Sequence, residues 1–142
     1  MRDFVGSDLV ATGTLLQVLE GLTRLLLRFH ARQRGLLRAL ILHARTHREP
    51  AFRSREERLW KELPRLTGKL LRFRADLPHA RPERALVFAF LQVLYSLREM
   101  TLWPGVERHV PVRGEALALE LARAAHAYLT VAPSQHPPSQ RR

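Results

Sequence analysis

The chain has 142 residues, a hydrophobic share of 46%, a charged share of 26% and a formal net charge of +11. That length makes one domain with enough chain for a sizeable core. There is no cysteine, which excludes disulfides, thiolate-held zinc and a cysteine nucleophile.

The charge has the magnitude of a protein that binds nucleic acid or a membrane surface, but its distribution points to a solvated basic surface. Of 24 basic residues only Lys61 and Lys69 are lysines, and the arginines are spread from Arg2 to Arg142 without a run of five or six. The densest region, Arg24–Arg58, carries ten arginines against Glu49, Glu56 and Glu57. The start, MRDFVGSD, has no apolar signal-peptide core, so a cytoplasmic location is expected.

No segment alternates apolar and polar residues with β-branched enrichment. The expected fold is therefore all-α, an antiparallel helical bundle of about five helices. Residues 1–13 read as a lead-in, residues 14–131 as the helical domain, and residues 132–142 as a disordered tail with three prolines.

The first helix is expected over Thr14–Arg32. Leu15, Val18, Leu22, Leu25, Leu26 and Phe29 recur at helical spacing, opposite a stripe of Glu20, Arg24, Arg28 and Arg32. The second spans Gly35–His47, with Leu36, Leu37, Leu40, Ile41 and Ala44 as its apolar stripe, and Glu49-Pro50 ends it. The third spans Ser54–Arg74. Ser54 and Glu57 fit a capping box, and Leu59, Trp60, Leu63, Leu66, Leu70 and Phe73 trace its apolar face. Pro64 sits inside that pattern and should kink or split the helix, with Gly68 as a second weak point.

The fourth helix, Pro82–Trp103, is the most informative stretch. Pro82 suits its first turn and Glu83 the positive end of its dipole. From Ala85 to Leu97 only Gln92, Tyr95 and Ser96 carry polar groups, so apolar side chains lie on opposite sides. Leu86, Phe90, Leu94 and Leu97 make one side, and Val87, Leu91 and Leu102 another. The uncharged run is too short to cross a membrane, which takes roughly 18 residues or more. Such a helix needs neighbours on more than one side, and a second copy of the chain is the simplest source. After the linker Pro104–Arg113 the fifth helix, Gly114–Val131, places Leu117, Leu121, Ala125 and Tyr128 along one side. Its many alanines make it slim enough to approach a neighbour closely.

Residues for catalysis are not evident. The glycines never form a phosphate-cradling loop, there is no G-x-S-x-G, and the one carboxylate pair, Glu56-Glu57, sits where a helix dipole favours acids. No enzyme activity and no cofactor are expected. His43 and His47, four apart, with His30 as a third ligand, have metal-site spacing. No acidic residue accompanies them and Arg45 and Arg48 crowd the position, so a solvated basic helix end is the better reading and no metal is expected. Trp60, Phe88, Phe90, Tyr95 and Trp103 are candidates to line an apolar pocket.

Three stretches together resemble a known family: FHARQRGLLRALILHA (Phe29–Ala44), PERALVFAFLQVLYSLREMTLW (Pro82–Trp103) and LALELARAAHAYLTV (Leu117–Val131). Their order resembles the C-terminal, ligand-binding and dimerisation domain of the TetR/AcrR family of bacterial transcriptional regulators. The resemblance covers about Leu15 to Val131. It implies an all-helical domain around a mostly apolar cavity, whose last two helices pair with those of a second subunit as a four-helix bundle. On that basis the dimer interface is expected at Leu94, Leu97, Leu117, Leu121, Ala124, Ala125 and Tyr128, and the effector is a small apolar molecule. Nothing here corresponds to the family's N-terminal helix-turn-helix domain. The chain is then a trimmed protein, a truncated gene product or a protein using the sensor fold alone, and no sequence-specific DNA contact is expected from it.

The ligand pocket is expected between the third and fourth helices, lined by Trp60, Leu63, Phe88, Gln92 and Tyr95. Pro64 opens the helix there, and Gln92 and Tyr95 offer polar handles in apolar surroundings. Two alternatives remain. One is a small basic helical protein that binds nucleic acid or another polyanion through Arg24, Arg28, Arg32, Arg34, Arg38 and Arg45. The other is a partner protein that dimerises with a full-length regulator.

Overall fold

Leu15, Val18, Leu19, Leu22 and Leu26 recur every three or four residues, and in the computed structural model they form the buried face of the central helix. The structure describes residues 2–46, 61–103, 105, 109 and 112–131. Among these the regular structure is all helical: α1 (Arg2–Val5), α2 (Asp8–Thr12), α3 (Leu15–Arg32), α4 (Arg34–Thr46), α5 (residues 61–70), α6 (Pro82–Leu102) and α7 (Gly114–Thr130). A 3-10 turn, Leu71–Asp76, continues from α5. His47, Ser54, Trp60, most of the linker before α7 and the tail Ala132–Arg142 lie outside the described residues.

The start of α3 is set by a reciprocal cap. The Thr14 hydroxyl accepts from the Gln17 amide at 3.3 Å, and the Gln17 side-chain oxygen accepts from the Thr14 amide at 2.9 Å. The segment read as a lead-in is folded into two short helices that bury Val5 and Val10. They sit on α3 at Gly21, where a Cβ would come within 2.6 Å of Leu9 and 3.1 Å of Phe4. Two cations tie them to the other side of the domain. Lys69 donates to the Val5 carbonyl at 2.6 Å, and Arg72 donates to the carbonyls of Ala11, at 2.7 Å, and Gly13. These carbonyls lie near helix C-termini, where positive charge is favoured.

Helix α5 runs through Pro64 and Gly68, and the change to 3-10 geometry comes only at Leu71. The buried Thr67 hydroxyl donates to the carbonyls of Leu63 and Pro64, each at 3.1 Å. Pro82 and Glu83 open α6 as their chemistry requires.

The tightest seam joins α3 to α7. Ala118, Ala122, Ala125 and Leu129 form a fully buried stripe on α7, opposite Val18 and Leu22. Glu115, in the first turn of α7, is ion-paired to Arg24 late in α3, while Leu129 and Leu19 line one small core void. The two helices therefore run in opposite directions. Helix α6 runs the same way as α3, with Leu86 and Phe90 level with Leu19 and Leu22.

Close approach along this seam gives adjacent alanines different roles. Ala122→Leu should lower stability by about 1–3 kcal/mol through overpacking. Ala116→Leu, on the exposed side of the same helix, should stay within about 0.5 kcal/mol. Urea unfolding followed by far-UV circular dichroism distinguishes the two.

Candidate functional site

Helix α6 has its core face at Leu86, Ala89, Phe90, Val93 and Leu97, steps of three or four that define one side. Phe88, Gln92 and Tyr95 then fall on the opposite side and are exposed. Leu63 is buried in the core and Trp60 lies outside the described residues. The four described residues of the five expected to line a ligand pocket, Leu63, Phe88, Gln92 and Tyr95, are thus not gathered around one cavity. Between α5 and α6 there is packed core, with a void of about 10 Å³ among Leu19, Leu63, Leu66 and Phe90. That is room for one water at most. Gln92 needs no internal partner because its side chain faces out.

A larger space lies at the other end of the bundle, between α3, α6 and α7. It is a cleft of about 200 Å³ lined by Leu27, His30 and Ala31 of α3, Arg34 of α4, Leu97 and Met100 of α6, Arg113, and Gly114 and Leu117 of α7. Most of this lining is apolar. Gly114 has φ +55°, a left-handed conformation that a side chain would strain, so the backbone enters α7 at the cleft without a Cβ.

His30 is the polar centre of the cleft. It continues the buried stripe of α3 one turn beyond Leu26 and is only 8% exposed. Its Nδ1 lies 2.8 Å from the Leu26 carbonyl, which only accepts, so Nδ1 carries the proton and Nε2 keeps its lone pair. The Phe29 ring stands edge-on to the imidazole at 5.8 Å. Burial pushes the His30 pKa below the ordinary histidine value, opposed by the bond to Leu26. In sequence, the signal for this site was a histidine at the end of an otherwise apolar stripe.

The outer side of α6 and α7 is a second feature. Phe88 and Tyr95 are exposed, Leu91, Leu94, Leu121 and Tyr128 half-buried, and Ala124 exposed. Phe88 and Tyr128 pack with ring centroids 5.2 Å apart, joining the two helices at the surface. His79 braces the same tyrosine, with its ring 5.0 Å from that of Tyr128 and its Nε2 2.8 Å from the Tyr128 carbonyl. Of the residues expected at a dimer interface, Leu97, Leu117 and Ala125 are buried in the core of this one chain. Leu94, Leu121, Ala124 and Tyr128 are on or near its surface, beside Phe88 and Tyr95.

The basic residues are not one continuous patch. Arg24 is held by Glu115 and, at 3.4 Å, by Glu20. Arg28, Arg32 and Arg38 are exposed, Arg34 reaches the cleft, and the Arg45 side chain is outside what is described. His30 points its Nδ1 at its own helix, His43 is exposed, and among the described residues no three His, Asp or Glu side chains are placed to hold a metal ion. Among the same residues no helix is long and apolar enough to cross a membrane. Comparison of the chain with protein-family models, curated proteins and solved structures gave no match.

His30 makes stability depend on pH. Its folded pKa lies below the unfolded value near 6.5, so the unfolded chain takes up the proton first as pH falls. The contribution of neutral His30 is complete above about pH 6.5 and is lost as pH falls toward the folded pKa. In His30→Leu the decline of the thermal midpoint between pH 7 and 5 should be shallower than in the unaltered chain, as read by calorimetry.

Proposed function

We propose that this chain is an effector-binding and dimerisation domain similar to that of TetR-type transcriptional regulators. It pairs with a second copy of itself through the outer side of α6 and α7 and senses a small, mostly apolar molecule in the cleft beside His30. The observation that carries this reading is that the same two helices serve both features. Leu97 and Leu117 line the cleft on their inner side, while Phe88, Tyr95 and Ala124 lie on their outer side.

Charge supports a second copy as the partner. Helices α6 and α7 carry Arg84, Arg98 and Arg123 against Glu83, Glu99, Glu115 and Glu120, a net −1 in a chain of +11. Two copies meeting there keep their basic surfaces apart, which weakens the repulsion that a high net charge imposes on association. Alanines on the outer side of α7, at 116, 124 and 127, allow close helix contact. A ligand that spreads α6 from α7 favours one arrangement of the pair over another, a shift of population between two dimer geometries. In an intact regulator that shift would reset the spacing of the DNA-reading heads.

Sedimentation equilibrium at micromolar concentration should give a dimer. Ala124→Glu places a charge on the outer face at an exposed position, and should convert the dimer to monomer with unchanged helix content. A monomeric unaltered chain at that concentration refutes the interface.

A further inference from the structure

Resting on the reading of the cleft as the effector site, we infer that its ligand is a small neutral apolar molecule carrying one hydroxyl group, which donates its hydrogen to His30 Nε2. The hydrogen-bonding state of the imidazole selects this chemistry. Nδ1 is committed to the Leu26 carbonyl, and Nε2 has no hydrogen-bond partner among the described residues. Nε2 is not sealed in the core, so water reaches it from the cleft, and a ligand donor replaces that water. Neutral imidazole offers Nε2 only as an acceptor, so the complementary group is an O–H or N–H.

The surroundings narrow the class further. The titratable groups around the cleft are few. From α3 there is His30 itself, from α4 Arg34, α6 contributes only Leu97 and Met100, and the α7 end contributes Arg113. Arg34 and Arg113 each have an interaction of their own, so the choice is made at Nε2. A carboxylate has no hydrogen to give and turns its own lone pairs toward that of Nε2. A neutral hydroxyl gives its hydrogen without bringing a charge into the apolar wall. Leu27, Ala31, Leu97, Met100 and Leu117 supply the apolar wall, and Met100 adds a flexible thioether that adapts to an aromatic ring. An apolar cavity of about 150 Å³ holds a benzene molecule. The 200 Å³ here admits one substituted ring or a branched alcohol of similar bulk.

The test compares three probes of nearly equal shape by calorimetric titration of the full chain at pH 7.5: p-cresol, p-xylene and 4-methylbenzoate. p-Cresol should bind severalfold, up to about tenfold, more tightly than p-xylene, the net worth of one hydrogen bond, and more tightly than 4-methylbenzoate, which has no hydrogen for Nε2. In His30→Leu the advantage of p-cresol should vanish while p-xylene still binds. His30→Gln, whose amide oxygen can accept, should retain part of it. In the unaltered chain the advantage should shrink once the pH falls below the lowered folded pKa of His30, where protonation turns Nε2 into a donor. Equal binding of p-cresol and p-xylene, or a preference for 4-methylbenzoate, overturns the hydroxyl inference and leaves the cleft as a site. Absence of binding by all three probes overturns the cleft as an effector site as well.

Discussion

Everything in this fold depends on how closely α7 can lie against α3. A stripe of three alanines, Ala118, Ala122 and Ala125, is fully buried between the two helices, and Leu129 closes the seam at its far end. With no α7 side chain longer than a methyl group along most of that stripe, α7 can lie close against the larger side chains of α3. Helix α6 then packs in the groove beside them, with Leu86, Phe90, Val93 and Leu97 as its inner row. Three helices so arranged leave little space in the middle of the bundle. A larger space lies at the end where the α7 stripe begins, at Gly114 and Leu117, and there the cleft is found.

The helical character of the chain was legible because several residues act locally. Pro82 and Glu83 mark the start of α6, and the apolar stripe of α3 has one phase and no competing one. What was not legible is the rotation of α6. Apolar residues surround that helix, so periodicity offers more than one inward face, and the row through Phe88 and Tyr95 competes with the row through Leu86 and Leu97. Only contact with α3 and α7 decides between them. A pocket placed from Gln92 and Tyr95 therefore came out on the wrong side of the helix. The dimer residues suffer from the same ambiguity. Ala125 and Tyr128 are three apart on α7, yet one is sealed against α3 and the other packs at the surface on Phe88.

Other features are invisible in sequence because they are close approaches between distant segments. Gly21 is an unremarkable residue in a helical pattern until Leu9 and Phe4 are seen against it. Lys69 and Arg72 look like two more members of a basic surface, but their work is to hold carbonyls of the N-terminal segment. Arg24 likewise is one arginine of a stripe by spacing and one end of an ion pair to Glu115 by structure. Each assignment removes a cation from the set available to a polyanion. The count of 24 basic residues thus overstates how many cationic side chains are uncommitted within the fold.

The position of the cleft gives it leverage. Under the proposed function a molecule entering beside His30 would press on Leu97 and Leu117, which lie at one end of α6 and α7, while Phe88 and Tyr128 join the same helices at the other end. His79 reinforces that contact through the Tyr128 carbonyl. A wedge at one end and a clasp at the other would turn a small displacement into a rotation of the helix pair rather than a uniform separation. Packed interfaces have few stable arrangements and respond to rotation by switching between them, whereas uniform separation only opens voids. A cleft placed midway along the helices would have opened the core instead. The buried alanine stripe resists opening in the middle, so a displacement imposed by a ligand would fall at the Gly114 end, beside the cleft.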